Sequence, residues 1–451
     1  MTSETGAAFA PVTGKARIDV LDMLRGLAIL GIFFMNIPFM GAQTSKLFLD
    51  PRLIGWGPLD QASWWGIQVV LEGTQRGLLE MLFGAGLMVF ARAAMQPDGP
   101  VAVADLYIRR NLWLLAFGVF DIFVLLWAGD ILHVYALAAL LLFPFRRVAA
   151  KWLLLLGMCF ALYTAGTGAW RYVERTNLVE RAQVAERKIA AHQPVTAAEK
   201  KALEEWRKKV EKLRTGGEEI KGIAAMEAKG HSGSFLAYAG MQIGFYLMFV
   251  WPELLRTVAE AFCMMLVGMA LWKWGVIQGQ RSARFYLLLM LACYLPGMAL
   301  RVVAGFEFLS NVPGPKILWM TQEFARMAVS VGHVALINLA VKGAAGRAIL
   351  NPFKAAGRMA FSLYFMQQIL GIYILYAPWG PNLWGRQSWS DMAGTVLLVI
   401  AGQVVFANLW LRVFAAGPLE WLWRSLAYVR WQPFRKRPGP AEQLPAEPAL
   451  A

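Results

Sequence analysis

The sequence predicts an all-α, polytopic membrane helix bundle of about ten transmembrane helices with an extramembrane charged helical hairpin. Three observations predict it. Of the 451 residues, 58% are apolar and only 16% charged, and the mean hydropathy is +0.47. No soluble core buries that many long apolar runs. The runs reach the ~20 residues a helix needs to cross a bilayer. They are rich in Leu, Ala, Gly and Trp, not alternating in short strands as an outer-membrane barrel requires. One segment, 174–232, departs from this pattern and is dense in Glu, Lys and Arg.

In chain order, 1–20 reads as a cytoplasmic N-terminal segment. It lacks the charged, apolar and small-residue succession of a cleaved signal peptide, so the first apolar run is expected to stay in the mature protein. Spans one to five, within 21–173, fall at 22–41, 65–92, 108–127, 130–145 and 151–171. The segment 174–232 follows as a solvated helical hairpin held by charge pairs one turn apart. Gln193-Pro194-Val195-Thr196 is its turn, with Thr196 capping the second helix and Glu199 three residues on. Residues 233–253 end at Trp251-Pro252-Glu253, which breaks or kinks a helix, and are expected to form a half-membrane or interfacial segment. Spans six to ten, within 254–414, fall at 254–273, 284–304, 317–341, 357–377 and 393–413, and 415–451 is a cytoplasmic tail with a Pro/Ala/Glu-rich, disordered end.

The net charge of +15 is first a topology signal, because cytoplasmic loops collect Lys and Arg. Lys15, Arg17, Arg92, Arg109, Arg110, Arg146, Arg147, Lys151, Arg281, Arg284, Lys342, Arg347, Lys354, Arg358, Arg430, Arg435, Lys436 and Arg437 share one side if 235–251 does not cross fully. Both termini are then cytoplasmic and the hairpin lies outside. No basic-aromatic motif for nucleic acid occurs. Cys159, Cys263 and Cys293 each sit in an apolar run, without metal-ligand spacing, and read as small buried hydrophobes.

Charge inside a span costs roughly 2.5–3.5 kcal/mol per residue on insertion scales, yet most spans carry polar groups. In span one, Arg25 and Asn36 are eleven residues apart, hence on one face and about 16 Å apart along the axis, with Asp22 one turn below Arg25. A structural cap and ion pair is the plain alternative for Asp22; Asn36, an amide on an apolar face, needs a partner. Glu72, Arg76 and Glu80 form a ladder in span two that can neutralise itself. Gly84 and Gly86 follow as close-packing positions. Arg110 and Asp121 share a face of span three. Asp130 and His133 lie three apart near the outer end of span four, and an imidazole oriented by a carboxylate makes a general base; a short loop end holding the pair for purely structural reasons is the more common case. Glu253, Arg256 and Glu260 repeat the acid-base-acid spacing. Gln322, Glu323, Arg326, Ser330 and His333 share a face of span eight, where a satisfied core histidine is the common case. Span nine adds Arg358, Ser362, Tyr364, Gln367 and Gln368. At least six helices thus contribute polar groups, which predicts a hydrated cavity inside the bundle.

The chain resembles the YeiB-like bacterial membrane proteins. The resemblance is carried by Leu21-Asp22-Met23-Leu24-Arg25-Gly26-Leu27-Ala28-Ile29-Leu30-Gly31 with Asn36-Ile37, Leu82-Phe83-Gly84-Ala85-Gly86, Gly129-Asp130-Ile131-Leu132 with Tyr135-Ala136-Leu137, Gly357-Arg358-Met359-Ala360, and Gly417-Pro418-Leu419-Glu420-Trp421-Leu422-Trp423-Arg424. The motifs occur in order and leave out only 174–232. That family is similar to the transmembrane acyltransferase superfamily, which includes heparan-alpha-glucosaminide N-acetyltransferase. The resemblance implies a ten-helix core in a bacterial inner membrane. It would take an acyl group from cytosolic acyl-CoA, acetyl-CoA first among them, and deliver it to an extracytoplasmic glycan, lipid or small molecule. No metal is implied, and a homodimer is compatible with the family. There are two departures. Gln61, beside Asp60, falls where the N-acetyltransferase has a histidine. Asp121 stands where YeiB-like sequences usually show His, while His133 appears where they usually do not.

The resulting expectation is a membrane-embedded acyltransferase. Arg25, Arg109 and Arg110 would meet the coenzyme phosphates, and Asn36 would hold the acyl carbonyl. Asp130 and His133, with Asp60, would deprotonate the acceptor. Asp22, Gln61, Arg76, Asp121, Glu323, Arg326, His333, Arg358 and Tyr364 complete the expected substrate path. A transporter or lipid flippase would use the same intramembrane charges, although the sequence shows no internal repeat. A non-catalytic partner that docks through the hairpin is the third reading.

Overall fold

A computed structural model describes residues 18–90 and 102–436; Lys15, Arg17, Arg92 and Arg437 of the topology argument lie outside them. Among the described residues the architecture is all-helical apart from one isolated bridge between Phe414 and Arg435. The helices are α1 (Asp19–Gly31), α2 (Phe33–Gly41), α3 (Thr44–Leu49), α4 (Pro58–Gly66), α5 (Thr74–Phe90), α6 (Ala102–Phe123), α7 (Leu132–Leu140), α8 (Ala150–Gly157), α9 (Cys159–Ala190), α10 (Ala197–Thr215), α11 (Gly217–Gly230), α12 (Phe235–Phe245), α13 (Leu254–Lys273), α14 (Ala283–Leu309), α15 (Leu318–Lys342), α16 (Ala344–Arg358), α17 (Ala360–Gln368), α18 (Trp389–Val413) and α19 (Pro418–Ala427).

Six helical stretches are long and apolar enough to cross a bilayer: Asp19–Gly41, Ala150–Ala190, Phe235–Lys273, Ala283–Leu309, Leu318–Lys342 and Trp389–Val413. The protein is a polytopic helical membrane protein. The centre is built by α1 against α16 and α5, α5 against α13, and α13 against α7 and α8. α14, laid along α15, and α18 form the periphery, where Leu295 and Leu398 are 69% and 77% exposed. Apolar side chains at such positions suit lipid contact, not water.

Of the other expected spans, 108–127 falls largely on the unbroken α6, while 65–92, 130–145 and 357–377 are interrupted, and in 65–92 and 357–377 the break is satisfied by a side chain from far along the chain. The run 65–92 stops at Glu72-Gly73, where Gly73 takes φ +68° after a π-helical turn at Ile67–Leu71. A break at membrane depth strands backbone carbonyls, and these must find donors inside the protein. Arg301 of α14 supplies them: its guanidinium donates to the carbonyls of Gln68 (2.6 and 3.1 Å), Val69 (2.8 Å) and Glu72 (2.6 Å). The break also takes Glu72 out of the expected ladder with Arg76 and Glu80. The run 357–377 breaks at Met359, between α16 and α17. Here stranded N–H groups need an acceptor, and Glu420 of α19 accepts from Phe361 N (2.7 Å), Ser362 N (3.2 Å) and Ser362 Oγ, as a carboxylate at a helix N-terminus should. The run 130–145 is regular α-helix only over Leu132–Leu140 and closes with a 3-10 turn at Phe143–Arg147. Nine residues rise about 14 Å, half a hydrocarbon core.

The charged segment does turn at 193–196, and Thr196 and Glu199 form the reciprocal capping box. It has its own small seam of Ala182, Ala185 and Leu203 beside Trp206. No boundary falls at 174, because α9 runs unbroken from Cys159 to Ala190; a third helix, α11, follows the hairpin. At its end, Glu227 accepts from Thr44 N, Ser45 N (3.2 Å) and Ser45 Oγ (2.8 Å). That contact seats the segment over the α2–α3 junction, at the far end of the first span from Arg25. The expected break at Trp251-Pro252-Glu253 is a 3-10 turn that joins α12 to α13. The joined helix is 39 residues long, about 58 Å, so it exceeds a single straight crossing.

Candidate functional site

The site starts from two glycines. A Cβ on Gly357 would lie 1.7 Å from the Asp22 carbonyl oxygen, and one on Gly26 would lie 2.1 Å from that of Phe353. Only glycine lets α1 and α16 approach so closely. The sequence neighbours of these two residues, Arg25 and Arg358, are thereby carried to one place. Two more arginines join them: Arg110 of α6, whose guanidinium lies 4.5 Å from the Trp423 ring centre and 5.4 Å from that of Phe90, and Arg424 of α19. Asp22 anchors Arg25 at 3.1 Å, and Arg358 donates to the Ala415 carbonyl at 3.4 Å. Trp423 donates its indole N–H to the Arg110 carbonyl at 2.8 Å, which docks α19 beneath the cavity.

These four arginines line one cavity of about 240 Å³. Its walls are Leu79, Leu82, Phe83, Gly86 and Leu87 of α5 and Leu114 of α6, and it extends to Ile131, Leu132, Tyr135 and Tyr364. The shape is a polar, strongly basic mouth leading to an apolar throat.

At the throat, Tyr364 is the hinge to a second polar group. Its hydroxyl donates to Asp130 Oδ1 at 3.3 Å and accepts from Ile131 N at 3.3 Å. Asp130 Oδ2 accepts from His133 Nδ1 at 2.8 Å and His133 N at 2.9 Å. A carboxylate only accepts, so Nδ1 donates and Nε2 presents its lone pair. Nε2 is buried and has no hydrogen-bond partner among the described residues. Asp121 lies beside Asp130 and Gln368, fully buried, with neither oxygen aligned for a hydrogen bond. Gly118 makes this possible, since a Cβ there would sit 2.7 Å from Asp130 Oδ2. The two departures from the YeiB-like pattern, Asp121 and His133, therefore meet in one cluster.

Other sequence candidates go elsewhere. Arg109 is held by Asp105 at 2.8 Å outside the cavity, and Asn36 is buried in α2 without lining it. Arg76, Glu323 and Arg326 belong to a separate ion network with Glu80 and Glu260. His333 is a satisfied core histidine, bonded to Tyr294 Oη (2.7 Å), Thr74 Oγ1 (3.1 Å) and the Val70 carbonyl (3.0 Å). Asp60 ties α4 to the start of α18, accepting from Gly57 N (3.0 Å), Ser390 N (2.9 Å) and Ser390 Oγ (2.7 Å). Burial raises its pKa, but the bonds from Ser390, Ser388 and Gly57 outweigh that and hold it at about 2, too low for a base. Gln61 donates locally to the Trp56 carbonyl at 3.1 Å. Sequence reasoning missed Arg424 as a cavity residue and Arg301 as the side chain that satisfies the break before α5. Arg301 was visible as a lone charge in an apolar run, and Arg424 sat inside a recognised motif.

The family model described as "Protein of unknown function (DUF418)" matches residues 271–430. The chain is 30% identical to "Uncharacterized protein YxaH" of Bacillus subtilis (strain 168) over 436 residues, covering 95% of this chain and 98% of the relative. It is 28% identical to "Uncharacterized protein YeiB" of Escherichia coli (strain K12) over 414 residues, covering 90% and 95%. A further relative, "Uncharacterized 39.9 kDa protein in amylase 3'region" of Bacillus acidopullulyticus, is 25% identical over 428 residues, covering 93% and 96%. No solved structure matches the chain. With the resemblance extending over nearly its whole length, the chain belongs to the YeiB-like, DUF418 family of membrane proteins.

Proposed function

We propose that the protein is a membrane-embedded acyltransferase that moves an acyl group from cytosolic acyl-CoA, acetyl-CoA being the simplest donor, to an extracytoplasmic acceptor. The observation that carries this reading is one cavity lined by Arg25, Arg110, Arg358 and Arg424 that reaches Tyr364, whose hydroxyl bonds Asp130, the partner of His133 just behind the lining. Arginine forks suit the coenzyme's phosphates, and the Phe90 and Trp423 rings beside Arg110 suit a flat base. The apolar lining from Leu79, Leu82, Phe83 and Leu114 suits the acyl-bearing arm.

His133 Nε2 takes the proton of the acceptor O–H or N–H as its O or N bonds the thioester carbon. The tetrahedral intermediate then collapses, the C–S bond breaks, and the proton passes to the coenzyme A sulfur. Asp130 keeps His133 in the required tautomer, and Tyr364 holds Asp130. The basic end faces the cytosol in this reading, with both termini there, as the loop charges favour. The membrane is the bacterial inner membrane and the hairpin lies outside it.

The test is purified protein in nanodiscs with a panel of radiolabelled acyl-CoAs. Coenzyme A release or saturable acyl-CoA binding, lost in R110Q and R358Q, is expected. Silence across the panel, with substrate uptake into vesicles, would replace this reading with transport.

A further inference from the structure

A second polar centre lies away from the cavity, where α5, α13 and α15 meet. Arg326 donates to Glu80 (3.0 Å), Glu260 (3.0 Å) and Glu323 (3.0 Å). Arg76 hydrogen-bonds Glu260 and stands 3.4 Å from Glu80. Two guanidinium groups therefore face three carboxylates, all within the first nine residues of α5, α13 and α15. One acid is in excess.

Widening the view does not restore balance. Arg301 of α14 lies near the network but brings Glu72 with it, and Arg256 of α13 brings Glu253. Tyr135 of α7 donates its hydroxyl to the Arg76 carbonyl (3.1 Å) and is neutral. His333, further along α15, spends both ring nitrogens on Tyr294, Thr74 and Val70. Cys263 of α13 is the other ionisable neighbour, and ionising it would add to the excess. Among the described residues the count stays at minus one.

The imbalance has an address. Glu80 is 1% exposed, and its Oε1 faces Arg76 Nε at 3.4 Å without forming a hydrogen bond to it. An ionised Glu80 holds that buried oxygen by charge attraction alone, which repays only part of the cost of removing it from water. On the side of Glu260, Glu323 and Arg326 the network has no room for even one water, and so none for a hydrated metal cation. A proton needs no room.

We propose that this network is a proton-binding site, that its three carboxylates hold one proton between them, and that Glu80 carries it. The site is independent of acyl transfer. It shares α5 with the cavity, whose wall is formed by Leu79, Leu82, Phe83, Gly86 and Leu87 of that helix.

The experiment compares full-length wild type, E80Q and R326Q in nanodiscs. Infrared spectra of wild type at neutral pH are expected to show a protonated-carboxyl stretch that shifts in heavy water and is missing from E80Q. Because the folded state would bind a proton the unfolded state has released, stability should fall as pH rises. E80Q should lose that slope and keep its folding, since the amide copies a neutral carboxyl. R326Q, which leaves one guanidinium facing three acids, should assemble poorly. No carboxyl-acid difference between wild type and E80Q overturns the proposal, as does an E80Q no better tolerated than R326Q.

Discussion

Two groups of arginines dominate the interior, and they are built for opposite purposes. Arg326 is buried among Glu80, Glu260 and Glu323 with no room for a water beside it, and Arg76, 31% exposed, pairs with Glu80 and Glu260. Arg25, Arg110, Arg358 and Arg424 surround an open cavity whose lining contains one carboxylate, Glu420. That carboxylate already accepts from the start of α17. A guanidinium surrounded by acids glues helices together. In the proposed reading, guanidinium groups gathered around an open volume would meet a ligand's phosphates. The same residue type thus closes a helix junction in one place and lines an open cavity in the other, and under the proposed function the second set would serve recognition.

The comparison can be broken in several ways. The largest effect is expected at the throat: H133A should lower acyl transfer by about 10²-fold or more, the usual share of a positioned base, with little change in acyl-CoA affinity. Turnover measured at saturating donor checks this, and an unchanged rate would remove His133 from the chemistry. Next comes R326Q, where stranding buried carboxylates should cost roughly 3–5 kcal/mol. Loss of the folded fraction on size-exclusion or in thermal melts reads it out. R110Q and R358Q should instead keep their melting temperature and weaken acyl-CoA binding about tenfold or more each, the worth of one charged hydrogen bond. If R110Q melts like R326Q, the division drawn above fails.

G357A sharpens the link between packing and site. Pushing α1 from α16 should cost about 1–3 kcal/mol and should also weaken donor binding, because Arg25 and Arg358 move with their helices. The smallest effect belongs to Asp60. Its folded pKa, about 2, is depressed, so its contribution to stability is complete above the ordinary aspartate value near about 3.9. It is lost as pH falls toward about 2. D60N should lack this acid-side component in melts taken across that window, at a cost of about 1 kcal/mol typical of a lost cap.

Much of this was legible beforehand. Apolar run length gave a polytopic bundle, and the 193–196 turn with its Thr196–Glu199 box formed as the pattern requires. The Asp22–Arg25 and Asp130–His133 pairs are local, three residues apart, and both formed. The breaks at Gly73 and Met359 were not legible, because hydropathy does not register a break when a distant Arg301 or Glu420 satisfies the exposed backbone. Nor could spacing along a helix tell that Arg109 faces Asp105 while its neighbour Arg110 faces the cavity.

Composition and local spacing were enough to determine the membrane class, the charged hairpin and the short-range ion pairs, because these depend on solvent preference and on neighbours within one helical turn. The tertiary structure alone decided which buried charges cancel and which surround a cavity. It also decided that Asp121 and His133, from different helices, share one site. Those outcomes depend on where glycines such as Gly26, Gly118 and Gly357 let backbones touch, and contact between helices distant in sequence is not written in the period of any one of them.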